Sequence, residues 1–162
     1  MKKETFVIAY EVYEAIDELA EEDAQLLRRA QDATNLSYAP YSRFYVGTAA
    51  RLANGAVIQG ANQENASYPV GICSERVLLA SVASLHPGMS ITTMAVSYRS
   101  NDKPSDHPIS PCGLCRQSLQ EYEDRTRHPI RLILGGQTGK IYILSNVSML
   151  LPLSFTAAEL NK

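Results

Sequence analysis

The feature that most constrains this chain is the placement of its three cysteines in two short runs. Cys73 lies in the run 72–76, and Cys112 and Cys115 lie in the run 111–117. Because Cys112 and Cys115 are three positions apart, both thiols face the same point at the start of a helix. A third thiolate from a separate helix start would give a tetrahedral metal three protein ligands and one open position, the arrangement of a catalytic zinc site.

Glu75 follows Cys73 by two residues and is therefore close enough to reach that open position. Cys-x-Glu followed by Pro-Cys-x-x-Cys is the layout of zinc-dependent nucleobase deaminases, in which the glutamate carries protons and does not bind the metal. A bare Cys-x-x-Cys is more commonly a structural zinc half-site or a redox pair. A structural site would need a fourth Cys or His, and the only imidazoles, His86, His107 and His128, each precede a proline as turn and loop residues do. The catalytic interpretation is favoured.

The bulk properties set wider limits. With 162 residues, 45% hydrophobic and 20% charged, the chain is expected to form one globular domain, 1–162, with residues 1–20 as an N-terminal arm. The net charge is -2, and Lys and Arg form no basic stripe, which argues against nucleic acid as a partner. No apolar run approaches membrane-spanning length, so no membrane partner is expected. Three cysteines used as metal ligands indicate a reducing compartment, and a cytoplasmic location is expected.

Hydrophobic patterning predicts an α/β fold. Residues 5–14 read as a short edge strand or an extended arm, Asn54-Gly55 as a two-residue hairpin turn, and Thr156-x-x-Glu159 as a capping box that starts a last short helix. Strands followed by helices predict a three-layer α/β/α sandwich around a mixed five-stranded sheet. The predicted strands are 45–52, 56–59, 91–98, 130–134 and 141–144, and the predicted helices are 21–34, 72–85 and 112–122.

Five ordered blocks together resemble the cytidine deaminases in their short, single-domain form. The blocks are 39–47, 62–68, 73–76, 111–117, and 150–152 with Phe155, so the resemblance spans most of the chain. It implies that Cys73, Cys112 and Cys115 bind one Zn²⁺ per subunit and that Glu75 shuttles protons. The implied activity is hydrolytic deamination of the nucleosides cytidine and deoxycytidine to uridine and deoxyuridine, with release of ammonia.

The resemblance also implies the contacts of the nucleoside. Phe44 would lie against the base, while Asn62 and Glu64 would bind the ribose 3′-hydroxyl. The backbone N–H of Ser74 would hold the base carbonyl, and the main-chain carbonyl of Ser110 would receive the leaving ammonia. Ser74 stands where family members usually have alanine; because the expected contact uses the backbone, this departure is expected to have little effect.

Further expectations concern the metal's surroundings and the assembly. Arg76 and Arg116 are expected to donate hydrogen bonds to the thiolates and so tune the metal centre. Family members of this size are usually homotetramers, and Phe155 resembles the aromatic residue that a neighbouring subunit places beside the substrate. The mostly apolar helix 72–85 is compatible with burial in the core or at such an interface.

Three other functions remain open on the sequence alone. A deaminase of aminonucleoside antibiotics, of the blasticidin type, shares Cys-x-Glu and Pro-Cys-x-x-Cys, although Phe44, Asn62 and Glu64 together favour cytidine. A nucleic-acid editing deaminase is disfavoured by the missing basic face and by Cys73, since those relatives usually have His as first ligand. A structural zinc module that serves protein interaction is the non-enzymatic alternative.

Overall fold

The computed structural model of the protein describes residues 1–160, so the last two residues of the predicted domain lie outside the described part. Within that part the chain forms six strands and three α-helices. In chain order they are β1 (Glu11–Tyr13), α1 (Glu21–Ala33), β2 (Phe44–Leu52), β3 (Val57–Ala61), α2 (Ser74–Leu85), β4 (Ile91–Ser100), α3 (Gly113–Thr126), β5 (Arg131–Gly135) and β6 (Ile141–Leu144).

The strands form one mixed sheet in the order β1-β6-β5-β4-β2-β3. Only β4 and β5 pair in parallel; the other neighbours are antiparallel. The sheet has six strands, so the predicted number of five is wrong. The additional strand is β1, whose three residues pair with β6 at the edge of the sheet. The loose alternation over residues 5–14 did not show which part of that stretch would find a partner.

Helices cover both faces of the sheet, which confirms the predicted three-layer α/β/α architecture. On one face Leu26, Leu27 and Ala30 of α1 pack with Ala49 and Ile133 of the strands. On the other face α2 and α3 bury their apolar residues against side chains of β2, β4, β5 and β6. The alternation of side chains along each strand sends successive residues to the two layers. The site described below lies on the α2 and α3 side.

Two local predictions need correction. The β2–β3 hairpin has a three-residue loop rather than a two-residue turn, because Gly55 adopts a φ of 84° and Leu52 pairs with Ala56 through a backbone hydrogen bond of 2.8 Å. The predicted last helix is a single 3₁₀ turn, Ala157–Glu159, and the side chain of Thr156 makes no capping hydrogen bond.

The start of α2 sits directly on β3 because residue 60 is a glycine. A Cβ atom at Gly60 would lie 2.6 Å from the Ser74 carbonyl oxygen and 2.8 Å from Leu78 Cβ, so no larger residue fits without moving the helix. The Thr48 hydroxyl lies 3.2 Å from the carbonyl oxygens of both Gly60 and Ser74 and bridges strand and helix. These contacts fix the height of the helix start above the sheet.

Glu123 is a buried carboxylate that links three elements. Its Oε1 accepts hydrogen bonds from the backbone N–H groups of Ile130 (2.6 Å) and Val147 (3.1 Å), near the end of α3. Burial raises the pKa of Glu123 above the ordinary 4.5, although the backbone donors act in the opposite direction. The folded protein therefore binds this proton more tightly than the unfolded chain does.

Ionisation of Glu123 should consequently reduce the free energy of unfolding as pH rises from about 4.5 through the higher folded-state pKa. Glu123→Gln removes this titration, so its stability relative to the wild type should increase over that pH range. Urea unfolding of both proteins at a series of pH values measures the difference. A difference that is constant or falls with pH would contradict the assignment.

None of the helices among residues 1–160 is both long enough and apolar enough to cross a membrane.

Candidate active site

The three cysteine sulfurs meet where two helices begin. Cys73 is the N-cap residue of α2, Cys112 is the N-cap residue of α3, and Cys115 lies in the first turn of α3. The Cys73 and Cys112 Sγ atoms are 3.8 Å apart, the Cys112 and Cys115 Sγ atoms are 3.5 Å apart, and all three lie within 4.8 Å of one another. Tetrahedral zinc with Zn–S bonds of about 2.3 Å requires sulfurs about 3.8 Å apart. The triangle has the size that zinc requires.

The electrostatics of this cluster also suit a dication. A hydrogen bond from Cys115, together with weaker contributions from Cys112 and Arg76, lowers the pKa of Cys73 to about 6, against the effect of burial. The same contact with Cys73 raises the pKa of Cys115, and burial and the Glu75 charge raise it further. One thiolate thus suppresses ionisation of its neighbour, and all three ionise together only when a cation offsets their repulsion. Both helix N-termini contribute positive dipole ends to the same point.

Glu75 lies beside the cluster in the first turn of α2 and is 5% exposed. Its Oε2 accepts a hydrogen bond of 3.1 Å from the buried Ser74 hydroxyl. This side-chain contact is additional to the backbone contact with the base that the resemblance implies for Ser74. The serine in place of the usual alanine was the available signal, because a hydroxyl next to a buried carboxylate tends to bond it.

A cavity of about 330 Å³ opens in front of the sulfurs. Its lining brings together nearly all the predicted substrate residues, although they come from four separate segments of the chain. The residues are Phe44, Asn62, Glu64, Ser74, Glu75 and Ser110, with Cys73 and Cys112 at the metal side. A second depression of about 320 Å³ adjoins it and shares Glu64, Tyr68 and Gly71. The volume is within the range of small-molecule sites.

The side chain of Asn62 is hydrogen-bonded to the backbone of strand β2. Its Oδ1 accepts the Val46 N–H at 2.8 Å, and its Nδ2 donates to the Phe44 carbonyl oxygen at 3.1 Å. Asn62 therefore extends the pairing of the strand past its last regular partner and fixes the backbone that carries Phe44. Sequence reasoning missed this role, because it depends on the register between β2 and β3.

Glu64 is held at the mouth of the cavity. Its Oε2 accepts the backbone N–H groups of Tyr41 (2.9 Å) and Ser42 (3.3 Å). Partial burial raises the pKa of Glu64, but the hydrogen bonds from Ser42 and Tyr41 outweigh it, and the net pKa is below the ordinary value. Glu64 is therefore a carboxylate at neutral pH, with one oxygen engaged by the 41–42 loop and the other available to a ligand.

The remaining predicted residues do not line the cavity. Arg76 lies in a groove between α2 and α3, and its charge acts on Cys73 from there. Arg116 donates to the carbonyl oxygens of Pro111 (2.8 Å) and Leu150 (3.0 Å), so these donors support the backbone around Cys112, and the expected hydrogen bond to a thiolate is not among its contacts. Phe155 is 58% exposed, and its carbonyl oxygen accepts a bond from Gln117.

The sheet, the two helix starts and the sulfur triangle with its glutamate define a zinc-binding deaminase class. The family model for the cytidine and deoxycytidylate deaminase zinc-binding region matches residues 20–128. The chain is 38% identical to the cytidine deaminase of Halalkalibacterium halodurans over 84% of this chain and 96% of that protein. The chain belongs to the cytidine deaminase family.

A solved structure and a more distant relative agree with that assignment. The crystal structure of cytidine deaminase from Burkholderia pseudomallei superposes with a TM-score of 0.71 at 32% identity, covering 85% of this chain and 100% of the other. The blasticidin-S deaminase of Bacillus cereus is 26% identical over 85% of this chain and 95% of that protein. The chain is thus more similar in sequence to the cytidine deaminase of Halalkalibacterium halodurans than to this blasticidin-S deaminase.

Proposed function

We propose that this protein is a zinc hydrolase that deaminates cytidine and deoxycytidine to uridine and deoxyuridine, with Cys73, Cys112 and Cys115 as metal ligands and Glu75 as the proton carrier. The observation that carries the proposal is the sulfur triangle of zinc dimensions next to a buried glutamate, both facing one nucleoside-sized cavity. The family relationship supports it through relatives that are named cytidine deaminases.

Zinc, when bound, supplies a Lewis acid that lowers the pKa of water enough to give a nucleophile near neutral pH. Glu75 performs the proton transfers. It accepts a proton from the attacking water as the new C4–O bond forms, delivers this proton to N3, and carries the second water proton to the exocyclic amine. The C4–N4 bond then breaks, ammonia leaves, and uridine retains the proton at N3. The buried position of Glu75 keeps the transferred protons away from bulk water.

The other cavity residues orient the base and the sugar. The Ser74 backbone N–H binds the base carbonyl, and the Ser74 hydroxyl holds the Glu75 carboxylate in one orientation. Phe44 presents an aromatic ring to the pyrimidine. The Ser110 carbonyl accepts hydrogen bonds from the departing ammonia. Glu64 and Asn62 bind the ribose 3′-hydroxyl, and Asn62 in addition fixes the strand on which Phe44 lies.

Steady-state kinetics test the proposal. The zinc-loaded chain should release ammonia from cytidine and deoxycytidine, with the accompanying change in ultraviolet absorbance, and should be poor on free cytosine, which lacks the sugar contacts. Blasticidin S should be a weaker competing substrate than cytidine, and single-stranded DNA or RNA should be neither bound at low salt nor deaminated. A zinc-loaded protein that is inactive on every nucleoside would support a structural zinc module instead.

The sugar contact yields a separate prediction. Glu64→Gln keeps an oxygen for the N–H groups of Tyr41 and Ser42 but removes the charged acceptor of the 3′-hydroxyl. A hydrogen bond to a charged group contributes about 1.5–3 kcal/mol, so the KM for cytidine should rise roughly tenfold or more. The KM for 3′-deoxycytidine should change little, since the group that Glu64 contacts is missing from it. An equal rise for both substrates would show that Glu64 acts only through the 41–42 loop.

Three wider features belong to the same proposal. The protein acts as one domain, 1–162, and it assembles as a homotetramer. Residues 1–20, expected to be an arm, contribute the edge strand β1 to the sheet of this domain. The half-open groove of about 260 Å³ between α2 and α3, with the 69% exposed Leu85 at the end of α2, supports burial by a neighbouring subunit. A cytoplasmic location follows from three cysteines that must stay reduced to bind zinc. Sedimentation equilibrium of the full chain tests the assembly.

A further inference from the structure

A buried tyrosine lies directly behind Phe44. Tyr98 on β4 is 2% exposed, and its ring stacks on the Phe44 ring with a centroid distance of 5.0 Å and an interplanar angle of 21°. The stacking follows from the register, because Val46 pairs with Tyr98 and Phe44 pairs with Ser100, which puts both rings on the same face of the sheet. Tyr98 is not among the residues that line the cavity, so it supports the Phe44 ring from outside the cavity.

The polar end of Tyr98 reaches the segment 101–110, which connects β4 to α3. Its hydroxyl lies 3.2 Å from His107 Nδ1 and 3.5 Å from the Pro104 carbonyl oxygen. The Tyr98 and His107 rings meet edge to face with their centroids 5.7 Å apart. Asp106 Oδ1 lies 3.1 Å from the same His107 nitrogen. Three residues after His107 the chain reaches Ser110. Ile109 and Ser110 form one wall of the cavity, and Phe44 belongs to another part of its lining.

The same segment is anchored once more, on the β5–β6 turn. The Ser105 carbonyl oxygen accepts the Gln137 N–H, and a Cβ at Gly136 would lie 2.3 Å from that oxygen, so the turn and the segment are in close contact. The Tyr98–His107 contact is a side-chain hydrogen bond between strand β4 and the part of the segment that lies between Ser105 and Cys112. This contact therefore connects the segment that carries Ile109 and Ser110 to the tyrosine that stacks on Phe44.

We propose that Tyr98 and His107 are positioning residues that set the distance between the two walls of the base-binding cavity, with Tyr98 supporting Phe44 by stacking and His107 holding the Ile109–Ser110 wall through the Tyr98 hydroxyl. The proposal rests on the proposed function, because it assumes that the pyrimidine lies between these walls. Neither residue touches the reacting atoms. Their effect is on nucleoside binding and not on the proton transfers of Glu75.

Tyr98→Phe and His107→Leu test the bond from its two ends. Tyr98→Phe keeps the stacked ring and removes only the hydroxyl, and His107→Leu alters a side chain that is 64% exposed, so both should fold. Each should raise the KM for cytidine and the Kd for uridine, measured by calorimetry, roughly three- to tenfold, while kcat changes by less than about twofold. The double variant should be no worse than either single one, because both remove the same bond. His107→Gln, which retains a hydrogen-bonding group, should bind uridine nearly as well as the wild type.

Tyr122→Phe is the matched control. Tyr122 is 3% exposed, and its hydroxyl donates to the Met89 carbonyl oxygen at 2.8 Å, but it does not line the cavity. The Tyr122→Phe variant should lose about as much stability as Tyr98→Phe, measured by urea unfolding, while its KM for cytidine and its Kd for uridine remain unchanged. The proposal is overturned if Tyr98→Phe behaves like this control, or if the effects of the two single variants add in the double variant. A zinc-loaded wild type that neither deaminates cytidine nor binds uridine would overturn the proposed function itself, whereas an active wild type with unaffected variants overturns only the positioning role.

Discussion

Glu75→Ala is expected to lower kcat for cytidine by roughly 10²- to 10⁴-fold, the range that a positioned general acid–base group contributes. The variant should retain one zinc per chain, because the three proposed metal ligands are cysteines and Glu75 is not among them. Product binding should also persist, since most of the cavity lining is provided by other residues. The measurements are single-turnover deamination, zinc content by elemental analysis, and uridine affinity by calorimetry.

The control for this variant is Glu123→Gln, which alters the other buried glutamate. Glu123 is 8% exposed, and its Oε1 accepts hydrogen bonds from the backbone N–H groups of Ile130 and Val147 near the end of α3. It should change stability while kcat and KM remain near their wild-type values. Glu75→Ala with full activity would show that the proton carrier is a different group, and Glu75→Ala without zinc would show that Glu75 has a role in forming the metal site.

Cys115→Ser is expected to abolish stable zinc binding. The Cys115 sulfur is fully buried and lies 3.5 Å from that of Cys112, so no solvent ligand can take its place. A serine hydroxyl is not ionised near neutral pH and is a harder donor than the thiolate. Loss of an outer-shell partner costs about 10- to 100-fold in metal affinity, and loss of a direct ligand should cost more. Activity should fall to the background rate.

Three measurements separate loss of the metal from general misfolding. The zinc content of Cys115→Ser should be well below one per chain, and the melting temperature should fall to that of the chelator-treated wild type. Added zinc should restore the activity of the chelated wild type but not that of the variant. Ser118→Ala, one turn further along α3, removes a hydroxyl bonded to the Leu114 carbonyl oxygen and should leave zinc content unchanged. A Cys115→Ser protein that keeps full zinc content would remove Cys115 from the ligand set.

The chemistry of this chain could be predicted from its sequence because the decisive residues are close together along it. Cys112 and Cys115 share one helix turn, and Cys73 and Glu75 share another. The order of strands and helices along the chain likewise predicted the layers of the fold. Each of these patterns is local, so it depends little on how distant parts of the chain are arranged.

Other features depend on register and could not be predicted. The bonds of Asn62 to Phe44 and Val46 exist because the end of β3 lies opposite the start of β2. The support of Phe44 by Tyr98 requires the pairing of β2 with β4, and the contact with His107 occurs in a segment without periodic pattern. The edge strand β1 is too short to be separated from the adjoining extended residues by composition alone.

The Cys73 and Cys112 sulfurs belong to helix starts that are 39 positions apart in the chain, on either side of β4. With zinc bound as proposed, the metal links the two helix starts, and this side of the cavity is rigid. Tyr41 and Tyr68, which line the adjoining depression, are 51% and 77% exposed and are not held by the metal. Coordination thus fixes the end of the site where the chemistry occurs, whereas exposed aromatic side chains line the depression beside it.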